Sequence, residues 1–149
     1  MIMQESIENF KTFMPLLLPE LFGAAKAGEA DINDEVAVIN FTLARPCELE
    51  DVMNMFDDQM ELTILYHIVP SEHTDFGHQC CAYSDITFGH MFKIHACTSA
   101  SGKVETLTVT LFTSMDVMCT DLMDDLDRHE NRGNFKYKIP KENLLVEFC

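Results

Sequence analysis

Residues 89–112, GHMFKIHACTSASGKVETLTVTLF, form two alternating arms around a polar turn. In the first arm His90, Phe92, Ile94 and Ala96 fall on one side, with Met91, Lys93, His95 and Cys97 on the other. In the second arm Leu107, Val109 and Leu111 alternate with Thr106, Thr108 and Thr110. Successive strand side chains point to opposite faces, so this period describes a hairpin with one buried face and one wet face. Ser99–Lys103 supplies the turn, where Gly102 is free to take the positive φ that a short hairpin requires. The rest of the chain reads as strands added beside this hairpin and helices laid on its apolar side.

Upstream, residues 35–69 read as a β-α-β unit. Ala37, Ile39, Phe41 and Leu43 line one face of an interior strand, and Val36, Val38, Asn40 and Thr42 the other. Pro46 suits the first turn of a helix, and Glu48, Glu50 and Asp51 complement its positive end. Leu49, Val52, Met53, Phe56 and Met60 form that helix's apolar stripe, and Glu61–Val69 returns as a strand. Residues 3–28 are helical, with Ile7, Phe10, Met14, Leu17, Leu18 and Leu21 as the buried stripe. Pro15 and Pro19 cannot both sit in one straight helix, so a short helix to about Phe13 and a second from Pro15 or Pro19 are expected, with Gly28 as the stop.

Downstream of an irregular middle, Cys81–Ile86 is a candidate short strand. Thr113-Ser-Met-Asp116 has the pattern of a capping box. Met115, Cys119, Leu122, Leu126 and His129 make a helical core stripe that ends near Gly133. Phe135, Tyr137 and Ile139 alternate again, and Leu144–Phe148 reads as a closing strand. This order predicts one α+β domain spanning residues 1–149, a largely antiparallel sheet with helices packed on one face. A split β-α-β, ferredoxin-like arrangement fits it.

Twenty-five acids against ten Lys and Arg leave a net charge of −15. That field repels nucleic acid and anionic membrane, and favours basic protein partners. Phe13–Leu18 is too short for a membrane span and has no basic region ahead of it, so neither span nor targeting signal is expected. The cysteines at 47, 80, 81, 97, 119 and 149 lack the spacing of a secreted disulfide framework, which points to a reducing, cytoplasmic setting or a virion.

His78-x-Cys80 and His95-x-Cys97 repeat one pair, and strand residues two apart point the same way. His78, Cys80, His95 and Cys97 therefore compose a candidate Cys2His2 zinc site, although neither pair has the usual ligand gap of a zinc knuckle. Buried thiols and surface imidazoles are the ordinary alternative. His73-Thr-Asp75 with a distant His129 is a weaker metal set. No phosphate loop, nucleophile elbow or dinucleotide fingerprint is present, and the neighbouring acids Asp57-Asp58 and Asp124-Asp125 diverge on helices rather than converge on a pocket. Catalytic and cofactor-binding residues are not assigned.

Asp116, Asp121, Asp124, Asp125, Asp127 and Glu130 crowd the polar side of the last helix. They read either as ordinary helix solvation or as a partner-binding face. The expectation is a non-catalytic acidic interaction or assembly subunit, in a homo-oligomer or a viral or phage structural assembly. The alternatives are an acidic inhibitor that imitates nucleic acid, and a zinc-binding module or metal-dependent enzyme built on the His/Cys-rich middle.

Overall fold

The computed structural model describes residues 2–59, 64–68, 79–84, 91–130 and 135–137. Its elements in order are α1 (Ile2–Leu17), α2 (Pro19–Phe22), β1 (Lys26–Ala27), β2 (Asp31–Ile32), β3 (Val36–Cys47) and α3 (Leu49–Gln59). Then follow β4 (Ile64–Ile68), β5 (Gln79–Ser84), β6 (Met91–Thr98), β7 (Val104–Phe112), α4 (Met115–Glu130) and β8 (Phe135–Tyr137). The α+β class and the largely antiparallel sheet are as expected.

The hairpin forms as its pattern demands. β6 pairs with β7, Ile94 opposite Val109 and Phe92 opposite Leu111. The Gly102 N–H donates to the Ser99 carbonyl at 2.9 Å, and Gly102 has φ 82°, a left-handed conformation that a side chain would strain. β7 also pairs with β3, and β6 with β5, giving the order β1-β3-β7-β6-β5-β4-β8 with β2 added beside β3.

All of these pairings are antiparallel, so β3 and β4 run parallel but are split by three strands. The β-α-β unit is therefore a split one, and the strands between its halves are the meander that follows it. A four-strand meander precedes α4, which departs from the β-α-β-β-α-β order of a ferredoxin-like fold.

Helices lie on both faces, which corrects the one-face expectation. Ala37, Ile39, Phe41, Cys80, Ala82, Phe92, Ile94, Leu107 and Val109 form one core with α1, α2 and α3. Phe10 centres it, its ring 5.3 Å from that of Phe92 and 6.0 Å from those of Phe22 and Phe41. The alternate residues Cys81, Tyr83 and Phe112 pack on the other face against Met118 and Leu122 of α4. The reason lies in the second face itself: Val36, Met91, Tyr83 and Phe112 are too apolar to stay wet, and α4 covers them.

Pro19 opens α2, one of the two expected starts, whereas Pro15 and Pro46 depart from expectation. Pro15 lies inside α1, one turn from its end, and the Leu18 N–H still bonds the Met14 carbonyl at 2.8 Å beyond it. Pro46 sits in β3 rather than opening α3. It occupies the irregular register between Thr42 and Cys47, where a ladder donor is not required. Gly28 does not end a helix: α2 stops at Phe22, and the Gly28 N–H donates to the Asn40 carbonyl at 2.7 Å. Ser114, not Thr113, caps α4, its Oγ accepting the Val117 N–H at 3.3 Å. The Thr113 hydroxyl instead bonds the Glu35 carbonyl at 2.9 Å, tying the start of α4 to β3. The candidate strand at Leu144–Phe148 lies outside the described residues. Among those described, no helix is long and apolar enough to cross a membrane.

Candidate functional site

Two features stand out, one on each face of the sheet. On the α4 face, the polar side of β5 and β6 meets the inner side of the helix. Tyr83 is fully buried, and its hydroxyl oxygen lies 2.5 Å from Asp121 Oδ2 and 2.7 Å from Asp125 Oδ2. A single phenolic proton serves the two carboxylates, so a further donor is needed between them. Lys93 supplies it, its Nζ 2.8 Å from Asp121 and 3.3 Å from Asp125, and 5.6 Å from the Tyr83 ring centroid. The Phe112 ring stacks on Tyr83 with centroids 6.3 Å apart.

Burial pushes the Lys93 pKa down, but the Asp125 and Asp121 carboxylates outweigh it, and the net movement is upward. An amine held protonated in this way is the opposite of the nucleophile or general base that catalysis at neutral pH asks of a lysine. The arrangement is a clamp between sheet and helix.

On the other face, α1, α2 and α3 leave a cleft of about 540 Å³. Leu17, Leu18, Pro19 and Met55 give it apolar walls, and Glu20, Asp51 and Asp58 give it carboxylates. Asp51, Met55 and Asp58 follow one another by four and three residues, so they share one face of α3. A second cleft shares Pro19, Glu20, Asp51 and Met55 with it and lies toward the end of β3, where Arg45, Cys47, Glu48 and Lys103 line it. There Lys103 Nζ lies 3.6 Å from Glu48 Oε1. Burial, then the Asp51 carboxylate, raise the pKa of the Cys47 thiol, with Arg45 opposing them. Leu16, beside this cleft in sequence, is 74% exposed.

The acids expected to crowd one face of α4 divide. Asp116, Asp124 and Asp127 are exposed, Asp121 is half-buried and Asp125 is buried. Asp125 follows Met118 and Leu122 at helical spacing, and this placement on the apolar stripe was the signal that it would face the sheet. The side chain of Glu130 lies outside the described residues.

The three zinc candidates among the described residues do not gather. Cys80 is buried in the core with α1–α3, whereas His95 and Cys97 occupy the opposite face of the sheet. His95 Nε2 lies 3.0 Å from Gln79 Oε1, and Cys97 is exposed. His78, like His73 and Asp75, lies outside the described residues, as does the side chain of His129. Among the described residues no group of three or more His, Cys, Asp or Glu is placed to hold a metal ion. Neither the clamp nor the cleft was foreseen from sequence. No family model, curated protein or solved structure matches this chain.

Proposed function

We propose that this protein works by docking a cationic partner protein against its acidic exterior. The observation that carries this reading is how its charges are disposed. Lys93, the cation of the central strand, is enclosed by Asp121 and Asp125. Exposed carboxylates at Glu20, Asp51, Asp58, Asp116, Asp124 and Asp127 have no ion-pair partner among the described residues. The net charge of −15 extends that field, which speeds encounter with a basic surface and opposes approach of a second copy. A cationic partner is thus favoured over self-assembly. The nucleic-acid-imitating alternative loses support because Asp121 and Asp125 face inward.

The test is a titration of labelled protein with synthetic amphipathic peptides of equal length carrying Lys, Gln or Glu on their polar side. Binding by the Lys peptide alone, weakening as salt rises above about 0.15 M, is expected. Equal binding by all three, or none by the Lys peptide, overturns the reading.

A further inference from the structure

We propose that the cleft between α2 and α3 is the docking site for a cationic amphipathic helix of the partner protein. This rests on the docking reading above and assigns it a place. A smaller cleft of about 390 Å³ beside α4 sets Val36, Phe112 and Val117 next to Asp116 and Asp124, whereas the cleft between α2 and α3 is larger and places an apolar residue between two acids on one helix face. Its α3 wall runs acid, apolar, acid through Asp51, Met55 and Asp58, with Glu20 facing from α2. A helix with one apolar residue over Met55, and a Lys or Arg one turn to either side, complements that wall by position and by sign.

The charge of the cleft also changes along its length. The end at Asp58 carries carboxylates and no cation among its lining residues, while the end toward β3 adds Arg45 and a Lys103 paired with Glu48. A helix has a positive N-terminal end and a negative C-terminal end. The bound helix therefore lies with its N-terminus at Asp58 and its C-terminus toward Arg45, and its cations concentrate in the N-terminal half.

Fluorescence anisotropy with a labelled peptide of about 16 residues, Leu at alternating three and four spacing and Lys in its N-terminal half, tests this. Three exposed pairs together predict that E20K/D51K/D58K weakens binding by about tenfold or more. The neutral E20Q/D51N/D58N, which places no new charge on the fold, should weaken it by about threefold. D116K/D124K/D127K on α4 should change it by less than about twofold after the general loss of field is matched in salt. Moving the Lys residues to the C-terminal half of the peptide should also weaken binding.

If the α4 substitutions abolish binding and the cleft substitutions do not, the cleft assignment falls while the docking reading stands. If both sets act equally, or the Lys order has no effect, the directed cleft falls as well. If no cationic peptide binds the unaltered protein, the docking reading falls with it.

Discussion

Lys93 reaches from β6 to α4, where its Nζ lies 2.8 Å from Asp121 Oδ2. Asp125, one turn further along the same helix face, lies 3.3 Å from the same ammonium. Two carboxylates four residues apart thus close on one cation, and this fixes both the rotation of α4 and its distance from the sheet. The apolar contacts of Met118 and Leu122 would tolerate sliding; the paired acids do not.

Lys93→Met keeps the aliphatic stem and removes the ammonium from beside buried Asp125. The expected loss is about 2–4 kcal/mol, toward the lower side of the range for breaking a buried pair. The lower side applies because the Asp121 side chain keeps 35% of its exposure and water can compensate it. Asp125→Asn in the same chain should recover part of that loss, with a coupling energy of about 1–3 kcal/mol. Urea denaturation of the four chains measures it. A loss below about 0.5 kcal/mol for Lys93→Met would show that the clamp is ornamental.

The same pair has a defined alkaline limit. The Lys93 pKa in the fold stands above the ordinary 10.5, so the folded state holds the proton more tightly than the unfolded chain. Its contribution is complete below the ordinary value and is lost as pH rises through the folded one. The stability difference between the unaltered protein and Lys93→Met should stay constant from neutrality to about pH 9.5, then shrink. A difference that fades between about pH 7 and 9 would contradict the direction of the shift.

Thiol reactivity should follow position. Among the described cysteines Cys97 is exposed on β6 and should be alkylated first, whereas half-buried Cys47 is slowed by burial and by Asp51, which disfavour its thiolate. Cys80, Cys81 and Cys119 are buried and should react only on unfolding. Timed alkylation by iodoacetamide with peptide mass spectrometry orders them. Faster modification of Cys47 than of Cys97 would be inconsistent with this environment.

The legible part of the fold was the part written in period two. Phe92, Ile94, Leu107, Val109 and Leu111 alternate so regularly that both the hairpin and its buried face could be read directly. β3 was legible for the same reason. The prolines misled because their cost depends on register: Pro15 is tolerated one turn from the end of α1, and Pro46 at a bulge. The second helical layer was hidden because Met91, Lys93 and His95 look like a solvated strand face until Phe112 and Tyr83 are placed beside them. The clamp needed that layer. Asp125 on the apolar stripe of α4 was its one local clue, and its partners on β5 and β6 are distant in sequence. The cleft joins α1, α2 and α3 through their packing, which no local pattern encodes.

The pairing of Val36 with Phe112 has a consequence for how the chain reaches its native state. As the polypeptide leaves the ribosome, β3 appears before the meander that will flank it, with two-residue β1 and β2 as its early partners. Its long open edge must then wait for β7, the last strand of that meander to be made. Long-range pairing of this kind slows folding and leaves an unpaired edge exposed to other chains in the meantime. The seam between β3 and β7 therefore closes only after the whole meander is made, with β8 still to join the far edge beside β4, and the interval before it closes is when nascent chains of this protein are most open to association with one another.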